Sequence, residues 1–258
     1  MQMVATNVSN AVSEAVAEYT PPDYVSSGLQ VYYNPEDPLS YSGSGTILTD
    51  LSGNGYDATL NNSPTYSTNS FTFDGTTEYI ASPDMTSSFN STTAFTAEIW
   101  YSPNYTVQGA GGTVLSENGS SVPNVGWFYS LIEHRKAPFG ALAYDYAGIW
   151  DGTLVSVNPF ATFNNLVWRL QTLTYDGVNG RIYTNGTLSR TVALTRTVPW
   201  NNAANYHLII GAGSNTQQSG AGANYFTGSV GIVRAYNRAL DGAEVLSNYN
   251  NAKSIYGL

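Results

Sequence analysis

The stretch "FTGSVGIVRAYNRALDGAEVLSNYN", residues 226–250, sets an alternating run against a polar turn and a short amphipathic segment. Val230, Ile232 and Arg234 fall on one side of an extended chain and Gly231, Val233 and Ala235 on the other, because strand side chains alternate. The alternation stops after Tyr236, at Asn237-Arg238-Ala239-Leu240-Asp241. Beyond it, Ala243, Val245, Leu246 and Tyr249 recur at helical offsets. Asp241 has an N-cap side chain, and Glu244 three residues on completes a capping-box pattern. The segment predicts a last sheet strand closed off by one short helix.

Upstream, the chain repeats the strand half of that pattern. Short runs such as "LQVYYN", "SFTFDG", "FTAEIWYSP", "LVWRLQTLTYDG" and "YHLIIGAG" are punctuated by Gly, Asn and Pro at the spacing of a sandwich. The stretch "TYDGVNGRIYTNGTLS", residues 174–189, holds Asp-Gly and Asn-Gly dipeptides that suit type I′ hairpin turns. From Gly28 onward no second long helix is expected. The prediction is an all-β sandwich of antiparallel sheets over residues 25–258. Residues 1–24 differ: Val4, Val8, Ala11, Val12, Ala15 and Tyr19 form one stripe of a short helix, which Pro21-Pro22 ends. A helix that short needs a surface to lie on, so this arm is expected to dock or to oligomerise.

Composition narrows the partners. Of the 258 residues 42% are hydrophobic, enough for a packed core. Only 10% are charged, against roughly 25% in average globular proteins. Polarity comes instead from Asn, Ser, Thr, Gly and 20 Tyr, a β-rich set. The net charge is −9, and no Lys or Arg precedes Arg135. A chain with so little basic surface is not expected to bind nucleic acid, which needs cations to neutralise phosphates. No run approaches 18 apolar residues, so no membrane insertion is expected. The first residues lack the basic and apolar regions of a secretory signal, and without cysteine there is no disulfide.

Six segments in order resemble the laminin G-like domains of the concanavalin A-like lectin/glucanase superfamily. They are "DLSGNGYDATLNNSPTY" (50–66), "FTFDGTTEYIASP" (71–83), "FTAEIWYSP" (95–103), "LVWRLQTLTYDGVNGRIYTNGTLS" (166–189), "LIIGAG" (208–213) and "FTGSVGIVRAYNRALDGAEV" (226–245). The resemblance implies a jelly-roll sandwich of two antiparallel sheets with a C-terminal capping helix.

It also implies where chemistry would sit. Glucanases of the superfamily carry paired carboxylates at alternate positions of one strand, so that both face the cleft. The comparable strand here has Glu98 and no second carboxylate, and Glu36-Asp37 are adjacent and would face opposite ways. His134 and His207 read as polar strand residues, and no nucleophile-elbow pattern is present. On these grounds no catalytic residue is assigned, and the expectation is that the chain is not an enzyme. The resemblance also implies calcium, which many relatives hold with a D-x-S-G-N-G loop, an F-D-G turn and a terminal Asp. Asp50, Asn54 and Asp74 match the first two, but the terminal position is Gly231, and calcium wants six to eight oxygens.

Sugar recognition needs aromatic faces for stacking and amides or carboxylates to orient hydroxyls. Tyr105, Trp127, Tyr146, Trp150 and Trp200 lie in or beside loops, with Asn104, Asn124 and Asn201 near them; Trp100 and Trp168 lie in strand motifs and read as core. Two functions fit. One is a non-enzymatic structural and adhesion subunit, displayed on a bacteriophage or virus surface as a capsid decoration or appendage. It would be made in the host cytoplasm and held by residues 1–24 to its own copies or to a capsid protein. The alternative is a free or cell-surface carbohydrate-binding module in an extracellular setting.

Overall fold

A computed structural model describes residues 19–89, 93–104, 112–118, 130–136, 143–150, 154–157, 165–193, 207–214 and 221–258. In chain order the strands are β1 (Leu29–Tyr33), β2 (Ile47–Leu48), β3 (Ala58–Asn61), β4 (Thr65–Ser67), β5 (Ser70–Asp74), β6 (Tyr79–Ala81), β7 (Phe95–Pro103), β8 (Gly112–Asn118) and β9 (Ser130–Lys136). They continue with β10 (Ala143–Trp150), β11 (Leu154–Val157), β12 (Arg169–Tyr175), β13 (Asn179–Thr184), β14 (Thr187–Ala193), β15 (His207–Ile210), β16 (Gly213–Ser214), β17 (Ala221–Ala223) and β18 (Thr227–Tyr236). A four-residue helix α1 (Thr86–Phe89) precedes β7, and α2 (Gly242–Ala252) follows β18, with a 3₁₀ turn at Lys253–Tyr256.

Two eight-stranded antiparallel sheets make the sandwich. One runs β14-β13-β12-β7-β18-β5-β4, with β1 also paired to β18; the other runs β11-β10-β9-β8-β15-β6-β3-β2. Between them lies the larger core, with Phe71, Phe73, Ile80, Ile99, Leu115, Leu173, Leu208 and Phe226 among its members. A second apolar layer covers the opposite face of the first sheet. There Tyr32, Trp100, Leu170, Ile232 and Tyr236 pack with Val245, Ala252 and Tyr256 from the C-terminal segment. Being covered on both sides explains why β7, "FTAEIWYSP", is buried at every position although its sequence alternates. The jelly-roll expectation therefore holds, with the capping helix forming a third layer.

The alternation read from residues 230–235 holds only in part. A register shift between Val230 and Val233 in the pairing with β7 inserts a bulge. Val230 thus joins Val233 and Ala235 in the main core, while Ile232 and Tyr236 lie in the layer beneath α2. Gly231 sits at the bulge, where an added Cβ would lie 2.1 Å from the Tyr256 hydroxyl.

The helix begins as its sequence predicts. The amides of Ala243 and Glu244 donate to Asp241 Oδ1 at 2.8 and 2.9 Å, and the Asp241 amide donates to Glu244 Oε2 at 2.9 Å. Of the three such dipeptides, Asn185-Gly186 has positive φ at both residues (49° and 76°), as a type I′ turn requires, while Asn179-Gly180 opens β13. Asp176-Gly177 instead belongs to a wider loop, in which Asp176 Oδ1 accepts the amides of Val178 and Asn179.

Candidate functional site

The calcium candidates divide into two separate turns. Asp50 is buried, and four donors occupy its carboxylate: the amides of Tyr32 (2.9 Å) and Ser52 (3.0 Å) on Oδ1, the Ser52 hydroxyl (2.7 Å) and the Tyr56 amide (3.1 Å) on Oδ2. Asn54 donates its amide to the carbonyls of Leu29 and Gln30 and to Ser52 Oγ. The loop thus sews β1 to the strand that follows it. Asp74 closes its own turn, accepting from the amides of Thr76 and Thr77 and from the Thr76 hydroxyl, and these bonds hold its carboxyl below the usual range. Among the described residues no group of three His, Asp or Glu is placed to hold a metal. The donor set does not fit calcium: carboxylate lone pairs committed to N–H and O–H donors have little left to offer a cation. Gly231, the departure from the relatives' terminal Asp, is where Tyr256 passes, and its hydroxyl accepts the Ile232 amide at 2.8 Å.

Glu98 lies deep under α2. Its side chain is 1% exposed, facing an Arg234 that is wholly buried, with 3.4 Å between Oε2 and Nη1. Thr172 Oγ1 donates to Oε1 at 3.1 Å and Asn248 Nδ2 to Oε2 at 2.8 Å. Burial pushes this carboxyl up, against the pull of Arg234, Thr172 and Asn248. The Arg234 guanidinium stands 5.1 Å from the Tyr32 ring centre and 5.7 Å from that of Tyr24, and its Nε and Nη2 have no hydrogen-bond partner. This is a sealed ion pair rather than a cleft.

The aromatic candidates fall mostly elsewhere. Tyr105, Trp127 and Trp200 lie outside the described residues. Tyr146 and Trp150 are on β10, where Tyr146 pairs with Glu133 of β9 and Trp150 with Leu154 of β11. Trp100 is core, stacked 4.5 Å from Tyr256, which also lies 4.5 Å from the half-buried Trp168. His207 points its Nδ1 at the Ser82 carbonyl, 2.9 Å away, as a satisfied strand residue.

The outer face of the second sheet was not read from sequence. Because Ala58, Leu60, Ile80, Leu208 and Ile210 enter the main core, the alternate residues face away from it. The ladder aligns Ile47, Thr59, Ala81, Ile209 and Ser116 in one row across five strands, with Asn61 opposite Tyr79 beside it. Tyr79 and Tyr225, both half-exposed, pack on a floor of Ala81, Ile209 and Ala212. Tyr79 and Tyr225 thus share one floor, with Thr59 and Asn61 on the strand paired to that of Tyr79. Spacing along the chain gives no hint of it, since Tyr79 and Tyr225 are 146 positions apart.

Comparison with solved structures places the sandwich among known folds. It superposes on a Trypanosoma rangeli sialidase, in complex with 2,3-difluorosialic acid, with a TM-score of 0.62 and 16% identity over 98% of this chain. It superposes on domain 4 of a GH43 extracellular arabinanase from Geobacillus stearothermophilus, in complex with arabinotriose, with a TM-score of 0.61 and 15% identity, covering 86% of this chain and 98% of that domain. The receptor-binding domain of botulinum neurotoxin C/D mosaic serotype gives 0.59 and 10% identity over 88% of this chain and 52% of the other. The chain spans 37% of that sialidase, so the likeness concerns one portion of it. No curated protein matches the sequence.

These likenesses correct the expectation that the chain is not an enzyme. That expectation rested on the missing carboxylate pair on β7, which tests one catalytic arrangement only. The same sandwich is built into sialidase and arabinanase chains, so the fold is an enzyme-associated one. The chain's own sequence settles its kinship: residues 74–246 match the laminin G-like family model of the superfamily, and the chain belongs to the concanavalin A-like lectin/glucanases superfamily.

Proposed function

We propose that the chain recognises carbohydrate, and that the shelf formed by Tyr79 and Tyr225 on the second sheet is where a sugar ring lies. The observation that carries this reading is the pair of half-exposed tyrosines on the Ala81–Ile209–Ala212 floor. Sugar rings present C–H faces that stack on aromatic rings, while hydroxyls take hydrogen bonds from groups such as Asn61 and Thr59. Support also comes from a structural neighbour described in complex with arabinotriose. Strands β2, β3 and β6 lie in the part of the chain that has no Lys or Arg, which favours neutral over anionic sugars.

Titration of arabinotriose and sialyllactose by calorimetry, with hydrolysis followed in the same samples, tests the reading. Neutral oligosaccharide should bind more tightly, and Tyr79→Ala and Tyr225→Ala should each weaken it by about tenfold without loss of fold. Binding that is unchanged in both variants would refute the shelf.

A second reading concerns setting. A sandwich of this family fits a surface or extracellular protein, and we infer display on an assembly such as a virion, with residues 1–24 joining it to copies of itself or to a capsid protein. What favours this is that Tyr19–Val25 lies docked on the body, Tyr19 bonded to Asn34 and Val25 to Asn248. Light scattering of the full chain and of one lacking residues 1–24 tests it: a mass that falls from oligomer to monomer supports attachment, and monomers in both count against it.

A further inference from the structure

We propose that residues 19–25 are a releasable latch that closes over the buried Glu98–Arg234 pair and reports its position to α2. The latch is held by side chains rather than by a ladder. Tyr19 accepts a hydrogen bond from Asn34 Nδ2 at 2.7 Å, and Tyr24 lies 4.5 Å from the Tyr32 ring with the Arg234 guanidinium beside it. The Val25 amide donates to Asn248 Oδ1 at 2.9 Å. Between these points Thr20, Pro21 and Asp23 are exposed, and Pro21-Pro22 supplies no amide proton. No residue of the segment belongs to a strand.

Asn248 is the coupling element. Its Oδ1 takes the latch, and its Nδ2 serves Glu98 Oε2 at 2.8 Å and the Tyr236 hydroxyl at 3.0 Å, all from a fully buried position in α2. One amide group therefore ties three elements, so opening the latch strips Asn248 Oδ1 of its donor. It also uncovers a guanidinium whose Nε and Nη2 have no protein partner. Water can then satisfy those donors, so the open state is not left with buried unmet polar groups. A pull on the chain that precedes Tyr19 is passed through Val25 and Asn248 to the C-terminal helix.

Amide hydrogen exchange on the full chain tests this. The Val25 amide, protected only by Asn248, should exchange at least about a hundredfold faster than the amides of the Glu98–Arg234 ladder. Tyr24→Ala should speed Val25 exchange by about a further tenfold while the ladder amides stay unchanged. Asn34→Ala, which removes the donor to Tyr19, should act in the same direction. Val25 exchanging in step with the ladder in the parent chain would overturn the proposal and make the segment part of the core. An equal acceleration of ladder and latch by Tyr24→Ala would do the same.

Discussion

Gly231 owes its place to a neighbour distant in sequence. A Cβ there would lie 2.1 Å from the Tyr256 hydroxyl, which accepts the Ile232 amide inside the bulge. Gly231→Asp supplies the carboxylate that the resemblance leads one to expect there, yet it should lower stability by about 2–4 kcal/mol. Added calcium should not recover the loss, as thermal melts with and without the ion would show. Glu98→Gln should cost about 3–5 kcal/mol, since it leaves Arg234 buried without its counter-charge. Pairing it with Arg234→Met removes the orphaned charge and should regain most of that loss in urea titrations. The motif around Asp50 was legible in the sequence but its use was not. Four donors from residues 32, 52 and 56 fill the carboxylate, and only tertiary structure brings Tyr32 there.

At the scale of elements, α2 could be read because its cap lies within four consecutive residues. Asp241→Ala removes the acceptor for two amides and should cost about 1 kcal/mol, measurable as a lowered denaturation midpoint with unchanged slope. β18 was legible as a strand but not in its facing, because a bulge is set by the partner strand β7 rather than by local pattern. Asn185-Gly186 obeyed its dipeptide, whereas Asn179-Gly180 was drawn into β13. The Asp-Gly turn yielded to Asp176, whose side chain bonds two backbone amides. The shelf had no local signature, for it is assembled by register: Ala81 meets Ile209, and Tyr79 comes to lie near Tyr225 only after the sheet is formed.

At the scale of the whole molecule, Asp176 is one group that ties stability to pH. Burial acts to raise the Asp176 carboxyl, but the amides of Asn179 and Val178 and the Arg181 guanidinium at 2.5 Å outweigh it and hold the group at about 2. A carboxyl depressed on folding contributes stability above its unfolded value near 4 and loses it as pH falls toward 2. At a third exposed the contribution is about 1 kcal/mol. Acid titration of unfolding free energy should therefore show a shallower decline between pH 4 and 2 in Asp176→Asn.

The last strand takes β7 along one edge, and along the other β5 and then β1. The first strand of the sandwich is thus stitched beside the final one, and Val25 touches the terminal helix. Entry and exit of the body share a side, so the sandwich has the layout of a cassette that a host chain could carry in a surface loop. A circular permutant joining Leu258 to Ser26 through a short Gly-Ser bridge, and opened at the Asn185-Gly186 turn, should fold with the parent's near-ultraviolet signature.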